Sequence, residues 1–567
     1  MGSMLNSLTY SLPENLEKAV RETTDEWRKE NKIARIWAKD ASVWTNDDEA
    51  KWLGWLDSVA AETAKVQEYK DFAEDVKSSG FTDVLLMGMG GSSLCPEVLS
   101  ITFGAQNFHV LDSTVPAQIK TLESRLNLEK TLFIVASKSG STLEPNTFKQ
   151  YFFERVSEKV GRENAGKQFV AITDPDSKMQ KVAETDGFRK IFFGNPEIGG
   201  RFSALSPFGM AAASAMGLDV EDFLRRASEM VADCKTEFSD GNAGALLGAI
   251  LGVCQTHGRD KLTIFTSPEI YDAGAWLEQL IAESTGKQDV SIIPVDREPL
   301  LEVEDYSEDR VFAYLKLKDS KENYLDEKID ALASNGHPVV KIELAEKENL
   351  GQEFFRWEFA TAVAGAIMQI NPFNQPDVES AKIEARKLTE EYEETGELPE
   401  ETPIFEGDGV KLFTSAEYAE SLEKLVGTEK SLKKYLESHL AHLQENDYFA
   451  LLAYIEMNAE NEEILTQIRE KVLRKKLTAT CLGFGPRFLH STGQAYKGGA
   501  NSGVFLQITS DDATDFPVPG QKFTFGVVKA AQARGDFQVL LDRKRRALRV
   551  HLGADVKKGL EKLSGLI

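Results

Sequence analysis

The chain has 567 residues, of which 42% are hydrophobic and 28% are charged. This composition is typical of a soluble globular protein and excludes a disordered or fibrous chain. The formal net charge is −25. A duplex-binding protein needs a surplus of Lys and Arg, and anionic lipids repel a chain of this charge, so neither nucleic acid nor a membrane is an expected partner.

The cysteines indicate a reducing compartment, and the first residues do not form a secretory signal. Cys95, Cys234, Cys254 and Cys481 have no CxxC spacing, so we expect neither a disulfide framework nor a zinc ribbon. A transmembrane helix needs about 18 consecutive apolar residues, and the sequence contains no such run. The start lacks a basic region followed by an apolar core, so it is not a secretory signal, and its first three residues read as an extension before a natural Met4. We expect a cytoplasmic protein.

The first 75 residues predict a helical N-terminal segment, because apolar residues recur at helical spacing from residue 14 onwards. From Phe81 the pattern changes to short apolar runs separated by helix-like stretches, which predicts a first α/β domain over residues 76–235. Its runs are DVLLMGMGG, FHVLDS, LFIVASKSGS, FVAITDPDS and RKIFFG. Each run is apolar throughout, as in strands that are covered on both faces of a parallel sheet.

A second α/β domain is predicted over residues 236–567, with strands in KLTIFTSPE, DRVFAYLKL and HPVVKIEL. Residues 389–401 contain seven glutamates in thirteen positions, which indicates a solvated linker at the edge of an insertion around residues 389–440. Beyond it, DYFALLAYIEM and LTATCLGFG are expected to continue the second sheet. The predicted fold class is therefore α/β, with two doubly wound parallel-sheet lobes and a cleft between them.

Two strand-to-helix loops are rich in groups that bind phosphate, at the sheet edge where ligands of parallel sheets lie. Residues 88–93 (GMGGSS) let the backbone approach a ligand and precede a helix that offers free N–H donors. A tight turn explains this loop about as well. Residues 137–142 (SKSGST) place four hydroxyls, a lysine and a glycine at one strand end. An N-capping turn would explain one or two of these hydroxyls but not the cluster.

These loops, about 45 residues apart, resemble the sugar-isomerase domain of glucose-6-phosphate isomerases. Three further motifs follow in that family's order: IGGRFSALSPFG (198–209), LEQLIAESTGK (277–287) and INPFNQPDVESAK (370–382). The resemblance spans residues 80–382. Residues 40–56 and the C-terminal part resemble the isomerase half of bifunctional transaldolase–isomerase fusions. The chain has no transaldolase half, so it is either a free-standing relative or an excised domain.

The resemblance implies an aldose–ketose isomerase that interconverts glucose 6-phosphate and fructose 6-phosphate. The implied substrate-binding residues are Gly91, Ser92, Ser137, Lys138, Ser139, Thr142, Gln279 and Gln375. Glu283 is the implied base that moves a proton between C2 and C1. Arg201 would stabilise the enediolate, and Lys382 would contact the ring oxygen or O1 during ring opening.

The ring-opening histidine is where the sequence departs from the family pattern. The family usually carries it in a GQH context before the late lysine motif, but here that region reads GQEFF and contains only His337, in a turn entering a strand. The segment HSTGQAYKGG (490–499) resembles the family's element relocated towards the C-terminus. His490 is therefore the candidate for ring opening, the alternative being that it packs beneath the loop, and Lys497 is a second candidate.

No cofactor is implied by the sequence. The seven histidines form no HxH or HExxH metal site, and the absence of GxGxxG disfavours a nicotinamide site. The implied partner is a small-molecule sugar phosphate. A homodimer is expected, or a monomer if the chain is excised from a fusion. Two alternatives remain: a dual glucose/mannose-phosphate isomerase, and a non-catalytic sugar-phosphate-binding protein, which would lack the base, the arginine and the late lysine.

Overall fold

The computed structural model describes residues 5–238, 241–321 and 324–567, and the expected natural start at Met4 lies outside them. The strands of the described residues, in chain order, are β1 (Ser7–Ser11), β2 (Asp83–Met87), β3 (Phe108–Leu111), β4 (Thr131–Ala136), β5 (Phe169–Thr173), β6 (Lys190–Phe193), β7 (Lys261–Thr266), β8 (Ile293–Asp296), β9 (Arg310–Leu317), β10 (Val339–Leu344), β11 (Phe405–Gly407), β12 (Val410–Phe413), β13 (Tyr448–Tyr454), β14 (Ala479–Phe484), β15 (Gly503–Ser510) and β16 (Arg546–Leu552).

Helices connect and cover these strands. They are α1 (Glu14–Lys29), α2 (Lys32–Trp37), α3 (Ser58–Thr63), α4 (Val66–Ser78), α5 (Leu94–Phe103), α6 (Pro116–Arg125), α7 (Leu143–Val160), α8 (Arg162–Ala165), α9 (Lys178–Thr185), α10 (Pro207–Ala215), α11 (Val220–Asp233), α12 (Ala243–Thr256), α13 (Ala273–Thr285), α14 (Tyr324–Ser334), α15 (Leu350–Ile367), α16 (Pro376–Thr395), α17 (Ala416–Val426), α18 (Leu432–Leu440), α19 (Ala459–Lys476), α20 (Gly493–Gly498), α21 (Phe525–Asp542) and α22 (Val556–Leu566). Within the described ranges, no helix combines the length and apolarity that crossing a bilayer requires.

The strands form three sheets. The first has the order β3-β2-β4-β5-β6 and is parallel throughout. The second has the order β1-β10-β9-β7-β8, with β1 antiparallel at its edge. The third has the order β11-β12-β16-β15-β13-β14, in which the hairpin β11–β12 adds antiparallel strands to a parallel core. The predicted α/β class with doubly wound parallel sheets is confirmed.

Alternate residues of the central strands enter different hydrophobic cores. In β2, Val84 and Leu86 pack into one core while Leu85 and Met87 pack into another. A strand with a core on each face must be apolar at every position, since successive side chains point to opposite faces. This is the physical reason why the uninterrupted apolar runs in the sequence located the strands.

The strands after residue 440 do not continue the second sheet, so that expectation is wrong. β13 and β14 pair with each other and with β15 in the third sheet, and β12 from the predicted insertion joins this sheet through β16. An apolar run shows that a strand is buried but not which strands it pairs with. The predicted helical segment, residues 1–75, contains α1 to α3 and most of α4, but it also contains β1, which the sequence did not reveal. The domain boundaries at residues 75 and 235 remain predictions.

Candidate active site

Two glycine turns meet at the carboxyl end of β2. Gly90–Ser92 and Gly200–Phe202 each form a turn of 3-10 helix. A Cβ atom on Gly91 would lie 1.9 Å from the carbonyl oxygen of Gly200, so a side chain at this position would clash with backbone. The glycines therefore allow the turn after β2 to contact the turn that carries Arg201. This contact brings the first motif of the sequence against the third.

The hydroxyl-rich loop joins β4 to the 18-residue helix α7. Gly140 has a φ of 66°, and a Cβ there would lie 2.2 Å from the amide nitrogen of Met179. Asn146 donates to the carbonyl oxygens of Gly140 and Thr142 at 3.0 and 2.7 Å, which fixes the loop. Thr142 is the N-cap residue, yet its side chain makes no capping hydrogen bond. The capping explanation therefore does not account for Thr142, whose hydroxyl remains available to a ligand.

A cavity of about 430 Å³ opens beside this loop. Its lining includes Ser139, Ser141 and Thr142 from the loop, together with side chains from α7, α16, α21 and the segment before α20. Ser137 and Lys138 are not among its described lining residues. Ser137 is buried, and the Lys138 ammonium pairs with Asp174. The loop thus presents hydroxyls to the cavity, while the lysine charge is directed towards Asp174.

Glu283 and Arg201 form a buried ion pair, and neither is among the described residues that line this cavity. Arg201 Nη1 lies 3.2 Å from Glu283 Oε1, and the two side chains are 1% and 5% exposed. The guanidinium also donates to Gln375 Oε1 at 2.9 Å and, through Nε, to Ser284 Oγ at 2.7 Å. Burial lowers the pKa of Arg201, although the Glu283 carboxylate opposes this effect. The partners of Arg201 hold its guanidinium in place against Glu283.

Gln279 connects this ion pair to His490. Gln279 and Glu283 lie one turn apart on α13, as the sequence predicts, and the Gln279 amide donates to Glu283 Oε2 at 3.0 Å. The same amide donates to the backbone carbonyl of His490 at 2.7 Å. The Gln279 Oε1 atom is buried and has no hydrogen-bond partner among the described residues. Gln279 therefore connects the two groups of implied catalytic residues and retains a free acceptor.

His490 lies beside Glu144 in the wall of the cavity. Its Nε2 atom is 2.9 Å from Glu144 Oε1. Gln532 of α21 donates to the same carboxylate at 2.6 Å and accepts from the Thr114 hydroxyl at 2.7 Å. Burial raises the pKa of Glu144, but the charges of His490 and Lys382 outweigh burial and leave this pKa below its usual range. His490 therefore lines the cavity and does not merely pack beneath the loop of residues 490–499.

The structure separates the two lysine candidates. Lys382 of α16 lines the cavity and its side chain is 35% exposed. Lys497 is 1% exposed, forms an ion pair with Asp536 at 2.5 Å, and is not among the described lining residues. His337 packs edge-on against Phe312 in a separate hydrophobic core. Of the alternatives to His490 that the sequence left open, only Lys382 has access to the cavity.

Sequence reasoning missed several residues of this site. Glu144 lies two residues beyond the loop of residues 137–142, so its proximity to the loop follows from the sequence, but its contact with His490 does not. Lys287 lies in the quoted AESTGK. It is buried, it donates to the carbonyl oxygen of Asn371 at 2.7 Å, and burial together with Arg201 lowers its pKa well below the usual value. No motif or spacing in the sequence marks Gln532 as a residue of this site. In the described ranges, no group of three or more His, Cys, Asp or Glu side chains could hold a metal ion.

The chain is similar in sequence to known isomerases. Residues 49–296 match the family model described as phosphoglucose isomerase. The glucose-6-phosphate isomerase of Methanocaldococcus jannaschii is 28% identical over 350 residues, which cover 55% of this chain and 86% of that protein. The glucose-6-phosphate isomerase of Rubrobacter xylanophilus is 29% identical over 371 residues, which cover 55% of this chain and 83% of that protein.

Two solved structures share the fold. A hypothetical protein from Thermus thermophilus superposes with a TM-score of 0.58 at 24% identity, covering 67% of this chain and 99% of that protein. A glucose-6-phosphate isomerase from Chlamydia trachomatis superposes with a TM-score of 0.50 at 20% identity, covering 63% of this chain and 77% of that protein. At these identities the likeness concerns the fold.

Proposed function

We propose that this protein is a glucose-6-phosphate isomerase, which interconverts glucose 6-phosphate and fructose 6-phosphate through a cis-enediolate. One observation carries the proposal: a continuous set of hydrogen bonds links the buried Glu283–Arg201 pair, through Gln279, to His490 in a cavity lined by the hydroxyl loop. The relatives named glucose-6-phosphate isomerase support the same reaction.

The loop of residues 137–142 receives the phosphate ester. Ser139 and Thr142 face the cavity, and the loop leads into α7, whose N-terminal N–H groups and helix dipole attract an anion. Lys382 lies across the cavity and adds positive charge. Binding at this end places the sugar ring between the loop and the segment that carries His490.

Ring opening requires a proton at the ring oxygen and the loss of one from the C1 hydroxyl. The His490 imidazole carries out this exchange, because Nε2 is held by Glu144 and Nδ1 has no hydrogen-bond partner among the described residues. The Glu144 carboxylate orients the ring. Lys382 contacts O1 or the ring oxygen during the same step.

Isomerisation moves one proton between neighbouring carbons. The Glu283 carboxylate takes the proton from C2, and the electron pair of that C–H bond forms the C1–C2 double bond of the enediolate. Glu283 then returns the proton to C1, the proton of the C2 hydroxyl moves to O1, and the C2 oxygen becomes the ketone. Arg201, adjacent to this carboxylate, stabilises the negative charge that develops on the enediolate oxygen. Atoms and charges balance without a further reactant.

A coupled assay tests the function. Conversion of fructose 6-phosphate to glucose 6-phosphate is measured with the full chain in excess chelator and without added metal. Full activity under chelator is the expected result. A strict dependence on added metal, or no conversion by a folded protein, would refute the proposed chemistry.

A finer proposal is that the chain corresponds to the isomerase half of a transaldolase–isomerase fusion. It rests on the resemblance of residues 40–56 and of the C-terminal part. An immunoblot of the source organism with an antibody against this chain tests it. A native polypeptide larger than the 62.9 kDa of this chain by one transaldolase domain is expected, and a native polypeptide of the same size would refute it.

A further inference from the structure

The face of the third sheet that lies beneath α21 changes from apolar to polar along β15 and β16. Phe505 of β15 and Ala547 of β16 belong to the hydrophobic core on this face. Towards the carboxyl ends of the same strands, the positions that follow at intervals of two are Gln507 and Thr509 in β15, and Arg549 and His551 in β16. Burying polar side chains is costly unless they have partners. Hydrophobic packing therefore does not explain why the buried positions of this face become polar.

A second cavity, of about 470 Å³, lies over this polar surface. Lys411, Lys529, Arg534, Arg549, Thr509 and His551 are among the residues that line it, and residues 397–401 form part of its wall. It shares no lining residue with the cavity beside the hydroxyl loop. Its lining contains four cationic side chains and three carboxylates, those of Glu397, Glu400 and Glu401. The cavity lies near the carboxyl ends of β15 and β16, where parallel sheets bind ligands.

Two arginines in this cavity hold one carboxylate of the chain itself. Arg549 Nη2 donates to Glu401 Oε1 at 2.7 Å, and Arg534 Nε lies 2.8 Å from Glu401 Oε2. The Arg549 guanidinium lies 4.3 Å from the ring centre of Phe413 and 5.2 Å from that of Phe537. Such a planar, aromatic-flanked guanidinium is suited to binding carboxylates and phosphates.

Arg549 is buried, whereas Arg534, at 29% exposed, and its carboxylate partner Glu401 are partly accessible to solvent. The Arg549 side chain is 3% exposed, while that of Glu401 is 31% exposed. The buried Nε atom of Arg549 has no hydrogen-bond partner among the described residues. Lys529 is already bound by Asp512 at 2.7 Å, and His551 faces Asp511 at 3.2 Å. The two arginines are therefore the groups that an incoming anion would contact.

We propose that this cavity is a second ligand site, which binds a small metabolite carrying two or more phosphate or carboxylate groups. Glu401 occupies the arginines when the ligand is absent and competes with it. An incoming oxyanion displaces the Glu401 carboxylate and pairs with both guanidinium groups. The proposal does not depend on the catalytic assignment, because the two cavities have separate linings.

Calorimetric titration with inorganic pyrophosphate, and separately with citrate, tests this site and shows whether phosphate or carboxylate is preferred. Both titrations use the full chain carrying Ser139→Asp, whose added carboxylate repels anions from the hydroxyl loop. Glu401→Gln removes the internal competitor and is expected to strengthen binding about tenfold. Arg534→Ala removes one donor and is expected to weaken it about tenfold, since a hydrogen bond to a charged group is typically worth that factor or more.

Glu400→Gln is the matched control. It makes the same charge change in the wall of the same cavity, and in the described part of the chain Glu400 pairs with neither arginine. Its effect on binding should stay within about twofold, which is the part due to overall charge. Opposite shifts for Glu401→Gln and Arg534→Ala cannot arise from general unfolding. Equal affinity in all variants, equal strengthening by Glu400→Gln and Glu401→Gln, or no binding of either probe would overturn the proposal.

Discussion

The Nε2 atom of His490 lies 2.9 Å from Oε1 of Glu144, although 346 positions separate the two residues in the chain. Glu144 belongs to the first turn of α7 in the first sheet's domain, and His490 ends a turn that follows β14 of the third sheet. The candidate active site therefore forms only when the first and third sheets are packed together. This arrangement places a histidine at the cavity although the expected GQH motif is missing.

Glu283→Gln tests the base. Glutamine keeps the size of the side chain but cannot accept the C2 proton, and loss of a general base typically costs about 10²- to 10⁴-fold in turnover. We expect a fall in kcat within that range and a nearly unchanged affinity for a phosphorylated inhibitor. A variant that keeps more than roughly a tenth of the wild-type turnover would exclude the role, because even the low end of the range is larger.

Glu278→Gln is a control on the same helix. Burial first, and then the nearby Asp296, raise the pKa of Glu278 to about 8. The carboxyl group is therefore mostly protonated at neutral pH, and glutamine imitates that form. We expect wild-type turnover near pH 7 from this variant. A loss comparable to that of Glu283→Gln would mean that any change in α13 impairs the enzyme.

His490→Ala separates ring opening from proton transfer. If His490 opens the ring, the variant should convert cyclic glucose 6-phosphate poorly but still exchange the C2 proton of an open-chain sugar phosphate, since an acid–base group lowers only the barrier of the step in which its proton moves. Rates with both substrates, measured by NMR in deuterated water, check this. Parallel losses, or no loss, would assign ring opening to another residue, and Lys382 would be tested next.

Phosphate recognition is tested on the hydroxyl loop. We expect glucose 6-phosphate to bind far more tightly than glucose, and the double variant Ser139→Ala/Thr142→Val to lose about tenfold or more of that preference, because both hydroxyls face the cavity. Calorimetry with the two sugars measures the ratio. Ser157→Ala, which removes a hydroxyl bonded to a carbonyl at the far end of α7, is the control. Comparable affinities of the wild type for both sugars would contradict the assignment.

The sequence predicted the parts of this protein that local pattern determines. The strands of the first sheet are predictable because each is a mainly apolar run without polar alternation. The two loops are predictable because strand, glycine and hydroxyls are contiguous. β1 was missed because it is an exposed edge strand whose residues form no apolar run. Pairing between distant segments was also out of reach: the third sheet and the contact of Gln532 with Glu144 depend on packing that no local spacing encodes.

Gly91→Ala tests the contact between the two glycine turns. The added methyl would lie 1.9 Å from the Gly200 carbonyl oxygen, so one of the two turns must shift. Overpacking of this kind typically costs about 1–3 kcal/mol of stability, and we also expect turnover to fall because Arg201 follows Gly200 directly. Gly553→Ala is the control, since a Cβ there meets nothing within 4 Å. The urea midpoint and kcat are measured for both, and equal behaviour of the two variants would refute the contact.

The environment of His439 predicts how the stability of the folded protein depends on pH. This residue on α18 is buried, and its Nδ1 lies 3.0 Å from the Tyr418 hydroxyl. Burial first, and then the nearby His442, lower its pKa from 6.5 to about 3. In the unfolded chain the imidazole takes up a proton below pH 6.5, whereas in the folded protein it stays neutral.

Between pH 6.5 and 3 the unfolded state therefore binds more protons at this position, so its contribution to stability is complete above pH 6.5 and is lost as the pH falls. The slope is about 1.4 kcal/mol per pH unit. We expect His439→Gln to remove this slope between pH 6.5 and 5, measured as the free energy of urea unfolding. His442→Gln, which changes a partly exposed histidine three residues further on, should keep it. If His439→Gln retains the wild-type slope, the imidazole is charged in the folded protein and its environment is not the buried one described.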